Sequence, residues 1–236
     1  MNALSPIVVS LREFKFLKVL SSVELEMVAN SSHFKKFNKN TFIYEVGQSP
    51  SHVYIVERGS VKLGMLASCG RTLTKDIIYE GEIFGENVIT SSQQYHEFAE
   101  TMTDSRIVCI PISVFKHLIE KNHLFASDIM NVMVSRLQHL EDRLHNFVFK
   151  KAKERIIEFI YKSGIRKGVK IGIDECLIDH GMSHKEIALL TDTSRQTVAR
   201  ILNELKRSNF IHYSSRKSSK ILIRNMDRLM EMNIAV

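Results

Sequence analysis

Residues 182–211 read Met-Ser-His-Lys-Glu-Ile-Ala-Leu-Leu-Thr-Asp-Thr-Ser-Arg-Gln-Thr-Val-Ala-Arg-Ile-Leu-Asn-Glu-Leu-Lys-Arg-Ser-Asn-Phe-Ile, and this stretch decides the fold. Ser183, followed at the third place by Glu186, is a capping box and predicts a helix start. Its apolar residues Ile187, Leu189 and Leu190 stop at the turn-forming cluster Thr191-Asp192-Thr193. A second helix is expected from there, capped by Thr193 or Ser194. Val198, Ile201, Leu202 and Leu205 recur at helical spacing and form its expected buried stripe. Arg195, Gln196, Ala199, Arg200 and Asn203 are left on the outer face. Two short helices joined by a turn of about three residues make a helix-turn-helix, whose second helix enters the DNA major groove. An ordinary helical hairpin explains the spacing but not two arginines and a glutamine in its first two turns. Arginine pairs with guanine O6 and N7, and glutamine with adenine N6 and N7.

The charge distribution agrees. From Lys150 onward there are 18 Lys+Arg against 10 Asp+Glu, a balance of +8. The first 149 residues hold the remaining 15 and 16, a balance of −1. The excess basic charge belongs to the C-terminal third, as expected of a module that neutralises phosphates. No apolar run approaches the roughly 18 residues of a membrane span. The first residues lack the basic region of a signal peptide, so a cytoplasmic protein with no membrane partner is expected. Cys69, Cys109 and Cys176 are far apart and suit neither a disulfide framework nor a metal knuckle; buried or idle thiols are expected.

Upstream, residues 11–30 read as a short helical entry anchored by Phe14, Phe16, Leu17, Leu20, Leu25 and Val28. From Phe34 to Ile112 the pattern becomes short β runs separated by turn signals. The clearest are Phe42–Tyr44, Val53–Val56, Ser60–Leu63, Thr72–Ile78 and Arg106–Ile110, punctuated by Gly47, Gly59, Gly70, Gly81 and Gly85. Strands of this length and spacing suggest a β-barrel or jelly roll. Between Phe125 and Phe147 the residues Ile129, Met133, Leu137, Leu140 and Leu144 recur at gaps of four or three. This stripe predicts a long helix paired with an identical partner, or else packed on its own barrel. Residues 146–151 read as a hinge. Ala152, Ile156, Ile157, Phe159 and Ile160 mark a further helix, stopped near Gly164. Ile171 and Ile173 suggest a short strand before an acidic loop. At the end, Phe210–Tyr213 and Lys220–Ile223 flank Ser214-Ser215-Arg216-Lys217-Ser218-Ser219, a hairpin with a basic tip. Arg216 and Lys217 there can reach phosphates, which position a protein without reading sequence.

Taken in order, these segments resemble the Crp/Fnr family of bacterial transcription regulators over roughly Phe34 to Ile223. Gly47, Val53-Tyr54-Ile55-Val56, Gly59-Ser60-Val61 and Gly81-Glu82-Ile83-Phe84-Gly85-Glu86 resemble its sensor signature. Ser194-Arg195-Gln196-Thr197-Val198-Ala199-Arg200-Ile201-Leu202 resembles its recognition helix. The resemblance implies an α+β chain: a jelly-roll sensor barrel over residues 1–124, a dimerisation helix over 125–147, a hinge over 148–151 and a winged helix-turn-helix over 152–236. It also implies a homodimer on a palindromic promoter site, with RNA polymerase as a further partner. Arg195, Gln196 and Arg200 would read bases; Ser194, Thr197, Arg216 and Lys217 would hold phosphates.

Three departures stand out. Gln196 replaces the glutamate of the family's cyclic-AMP receptor, so the half-site should differ at the base pair it faces. Asp192 stands where glycine is usual, and Asp tolerates positive φ better than most residues. In the sensor, Glu86 matches the family's ribose-binding glutamate, but the phosphate-binding Arg-Ser pair falls on His96-Glu97. The adenine-contacting Thr-Ser pair falls on Leu140-Glu141. A carboxylate repels phosphate and no arginine lies nearby in sequence, so control by cyclic AMP is not expected. An iron–sulfur sensor would need a cluster of N-terminal cysteines. Haem would need an axial ligand such as His33, His52, His96, His117 or His123. No cofactor or metal site is therefore assigned, with haem or an unknown small ligand left open. No nucleophile–base constellation or phosphate-cradling loop marks an enzyme, since Gly81-x-x-x-Gly85 is too short for one. The rival reading is a ligand- or haem-binding sensor whose winged helix makes protein contacts; the basic balance after Lys150 argues against it.

Overall fold

The computed structural model describes residues 6–68, 70, 72–86, 94–179, 181–213 and 220–234. They form two compact units, Met1–Gln138 and His139–Val236. The first unit opens with α1 (Pro6–Glu13), a short 3-10 turn (Lys15–Leu17) and α2 (Ser22–Ser31). The single entry expected over 11–30 is therefore broken. The reason is local: Ser21 and Glu24 form a capping box, with Glu24 N donating to Ser21 Oγ at 3.3 Å, which starts a fresh helix.

Eight strands follow: β1 (His33–Phe37), β2 (Phe42–Tyr44), β3 (His52–Arg58), β4 (Ser60–Leu66), β5 (Thr72–Tyr79), β6 (Ile83–Phe84), β7 (Phe98–Thr101) and β8 (Ser105–Pro111). They make two antiparallel sheets in the orders β1-β8-β3-β6 and β2-β7-β4-β5, which is jelly-roll topology. The strands read from sequence are all present. β1, β6 and β7 were not anticipated, being either short or weakly alternating. Gly59 makes the tight β3–β4 turn at φ +99, where a Cβ would stand 2.8 Å from the Asp104 carbonyl oxygen.

Two cores share one sheet. Tyr54, Val56, Ile107 and Cys109 face the other sheet's Tyr44, Val61, Leu63, Ile78 and Ala99. On the opposite face, Val53, Ile55, Val108 and Ile110 pack against Leu17, Val28, Phe115 and Phe125 from the helices. This is why residues 53–56 are a continuous apolar run: β3 is buried on both faces.

Two helices close the sheets: α3 (Ile112–Lys121) and α4 (His123–Phe149). The Asn122 side chain joins them to α2, accepting from Phe125 N at 3.0 Å and donating to Glu24 Oε1 at 3.0 Å. Phe125 is fully buried, worth about 1.5–3 kcal/mol of transfer free energy. The stripe predicted on α4 divides. Ile129 is buried in the helical core and Met133 is half-buried, so Ile129 belongs to the fold of its own unit and not to an open seam. The apolar residues of α4 that remain exposed are Leu124, Met130, Val134, Leu137, Leu140, Leu144, Phe147, Val148 and Phe149.

In the second unit, Lys150 and Lys151 link α4 to α5 (Ala152–Lys167). α5 passes through Gly164 instead of stopping there. A Cβ at Gly164 would lie 2.8 Å from Met226 Cε and 3.3 Å from Ile223 Cδ1, so glycine serves close packing at this point. The expected strand at Ile171 and Ile173 is displaced. The strands are β9 (Val169–Lys170) and β10 (Cys176–Asp179), while Ile171 and Ile173 are exposed. After α6 (His184–Leu190) and α7 (Arg195–Arg207) come β11 (Ile211–Tyr213), β12 (Lys220–Ile223) and an unanticipated α8 (Met226–Ile234). The sheet order is β11-β12-β10-β9, with Ile211 opposite Ile223 in the terminal hairpin.

Candidate nucleic-acid interface and sensor interior

The helix-turn-helix follows its local signals closely. Ser183 caps α6, with its Oγ accepting from Glu186 N at 3.3 Å and its N–H donating to Glu186 Oε2 at 2.7 Å. Thr191 is buried and its hydroxyl donates to the Ile187 carbonyl at 2.8 Å, closing that helix. Asp192 turns the chain at φ 49. Of the two candidate caps for α7, Ser194 is the one used, accepting from Thr197 N at 3.0 Å. Val198, Ile201, Leu202 and Leu205 are buried as the spacing requires. Arg195, Gln196, Arg200 and Asn203 are exposed, and Ala199 is half-buried.

The exposed face of α7 therefore offers forked donors and an amide. Arg200 reaches Glu204 at 3.8 Å, but its side chain is 70% exposed, so this weak pair leaves it free to move to a base. Lys153 holds Glu204 from α5 at 2.5 Å. The hydroxyls of Ser194 and Thr197 lie 2.8 Å apart at the N-terminus of α7, where backbone N–H groups attract anions. Burial, then the Arg195 charge, lowers the pKa of His184. Arg216 and Lys217 lie outside the described residues.

The sensor interior differs from expectation. Glu97 is buried but not isolated: Lys75 Nζ lies 2.7 Å from its Oε2, and Tyr44 OH donates to its Oε1 at 3.2 Å. Burial, reinforced by the Glu97 charge, pushes the Tyr44 phenol up. Glu86 is buried and paired with Arg136 of α4, whose second terminal nitrogen donates to the Ile83 carbonyl. No arginine lies near His96-Glu97 in sequence, but one reaches the sensor interior from α4 and pairs with Glu86. The second oxygen of Glu86 is buried without a hydrogen-bond partner among the described residues. Burial lowers the Arg136 pKa, opposed by the nearby charges of Asp76 and Glu82. Tyr44 stacks on Tyr95 with centroids 3.8 Å apart, and Tyr54 stacks on Phe84 at 5.1 Å. His96 is exposed. Leu140 and Glu141 are also exposed, on the part of α4 that belongs to the second unit. Lys75 and Arg136 escaped the sequence reading, since no local spacing connects either to its glutamate.

His33 and His52 meet edge to face at 5.4 Å, and no group of three potential metal ligands occurs among the described residues. Burial raises the thiol pKa of Cys109 to about 11 and also that of Cys176, so both remain protonated. Cys69 lies outside the described residues.

A jelly roll followed by a winged helix with an open recognition face defines a DNA-binding regulator, and the comparisons with known proteins agree. The family model of the cyclic nucleotide-binding domain matches residues 34–122, and that of the Crp-like helix-turn-helix domain matches residues 154–232. The Anaerobic regulatory protein of Bacillus subtilis is 23% identical over 212 residues, covering 89% of this chain and 88% of that protein. The Global nitrogen regulator of Synechococcus elongatus is 26% identical over 180 residues, covering 75% and 80%. Among solved structures, FixK2 from Bradyrhizobium japonicum shares the fold with a TM-score of 0.76 at 23% identity, covering 87% of this chain and 98% of that one. The chain belongs to the Crp/Fnr family of transcription regulators, which are not enzymes.

Proposed function

We propose that this regulator binds a palindromic duplex site as a homodimer, reads bases with Arg195, Gln196 and Arg200, and does so without cyclic AMP. The observation that carries the DNA contact is the split face of α7, with four apolar residues buried behind the exposed Arg195, Gln196, Arg200 and Asn203. Pairing of two copies is supported by the exposed apolar residues of α4, Met130, Val134 and Leu137 in one unit and Leu140, Leu144 and Phe147 in the other. Water is a poor solvent for such a stripe, and a second identical helix covers it.

The nucleotide reading is disfavoured by charge. A cyclic phosphate needs an uncompensated cation. Lys75 is held by Glu97, and Arg136 is paired with Glu86 and flanked by Asp76 and Glu82. This pairing among the described residues supports a reading without that ligand. We further propose a cytoplasmic protein that contacts RNA polymerase and needs no resident cofactor; among the described residues no helix is long and apolar enough to cross a membrane.

Selection from random duplex DNA with the ligand-free protein tests the reading. Recovery of a palindrome whose half-site differs from the cyclic-AMP receptor's at the base pair facing Gln196 is expected, with no change on adding cyclic AMP. Enrichment only after cyclic AMP is added would overturn the effector part. A Soret absorption band in the purified protein would replace the cofactor-free reading with haem.

A further inference from the structure

Asp192 occupies a backbone position where a side chain is a disadvantage. At φ 49 glycine is unstrained, whereas other residues carry a steric penalty. The structure shows what the carboxylate does there. Arg143, near the end of α4, grips it with two parallel hydrogen bonds, Nε to Oδ2 at 2.9 Å and Nη2 to Oδ1 at 2.7 Å. The same Nη2 donates to the Leu189 carbonyl at 2.8 Å, at the end of α6. Arg155 of α5 takes two carbonyls of the turn, Thr191 at 2.8 Å and Asp192 at 2.9 Å, and also the linker carbonyl of Lys150 at 2.6 Å. Two guanidinium groups, one on each side of the linker, therefore hold the turn that launches α7.

We infer that the Arg143–Asp192 pair is a positioning clasp that sets the direction of the recognition helix against the last turns of α4, and thereby the half-site spacing a paired protein accepts. A planar fork on a carboxylate fixes angle as well as distance, which a lysine cannot do. The neighbouring contact from α4 is weaker: Asp142 and Lys162 are 3.7 Å apart with side chains 66% and 56% exposed, against 21% and 19% for Arg143 and Asp192. A cleft of about 590 Å³ surrounds the pair. Arg143, Arg155 and Lys162 are already engaged by Asp192, by carbonyls and by Glu158. The clasp acts two residues before Ser194, so little chain remains to absorb a change of angle. Recognition helices of a dimer must meet successive major grooves about one DNA turn apart.

The inference rests on the paired DNA-binding reading, and the experiment separates the two. Full-length protein is titrated onto the selected palindrome, onto versions with one or two base pairs added or removed between half-sites, and onto a single half-site. D192G keeps an unstrained turn, R143Q opens the clasp from the other side, and D192N retains one hydrogen bond. Wild type is expected to prefer its own spacing. D192G and R143Q should lose about tenfold of that preference, the size of one charge-assisted pair, with D192N between. Affinity for the single half-site should stay unchanged, an outcome a merely structural role would not give. D192G retaining the whole spacing preference overturns the clasp alone. Wild type binding one half-site as tightly as two overturns the paired reading and the clasp with it.

Discussion

The helix caps of the helix-turn-helix and the buried carboxylates of the sensor interior find their partners over very different distances along the chain. Ser183 and Glu186 satisfy each other across 3 residues, as do Ser194 and Thr197. Glu97 reaches Lys75 across 22, and Glu86 reaches Arg136 across 50. The caps of the first region follow rules of adjacency, while its turn is held from afar by Arg143 and Arg155. The second depends on the jelly roll and α4 having assembled, and its charges have no partners until then.

The largest effect that would sharpen this contrast is R136A. It strands the buried Glu86 carboxylate, and removing one partner of such a pair costs about 3–5 kcal/mol. Urea unfolding should show the loss, and R136M with E86Q should recover much of it. Unchanged stability in R136A would mean that the sensor interior does not depend on its long-range pairs.

Next are the two faces of α7. I201A opens a fully buried site and should cost about 2–5 kcal/mol of stability. R200A, on the exposed face, should leave stability within about 0.5 kcal/mol. It should remove roughly 1–3 kcal/mol of base discrimination in competition binding. Equal losses on specific and random DNA would assign Arg200 to phosphate contact.

The smallest expected effect concerns acid. Burial alone would raise the Glu158 pKa, but hydrogen bonds from Lys150 and Lys162 outweigh it and hold it below 4.5. Because the folded value lies below the unfolded one, this stabilisation is present above the unfolded value and lost as pH falls through the folded one. E158Q should therefore be less stable than wild type at neutral pH and lose less stability below about pH 4.5. Parallel pH profiles for the two proteins would remove the pair from the account.

Legibility in the sequence follows the same divide. The caps, the buried stripe of α7, the strands around Val53–Val56 and the terminal hairpin all carried local signals. Gly164 misled, because a glycine within a helix reads as a stop until the approach of Met226 is seen. Ile129 misled for a related reason: its spacing suits an open seam and the helical core equally well. Cys176–Asp179 fell in the stretch read as an acidic loop because its partner strand β12 lies far along the chain, with Cys176 opposite Ile223 and Asp179 opposite Lys220. Asp192 stood out only as a departure from glycine, and Arg143 carried no local signal that linked it to the turn. Neither position alone announces the other.

The double burial of β3 carries a consequence for how the first unit opens. Val53 and Ile55 belong to the helical core, and Tyr54 and Val56 to the core between the sheets. Neither layer can melt while the other keeps its contacts with this strand. Amide protons of residues 53–56 should thus exchange with deuterium only through opening of the whole unit and be its slowest, reporting a single cooperative block.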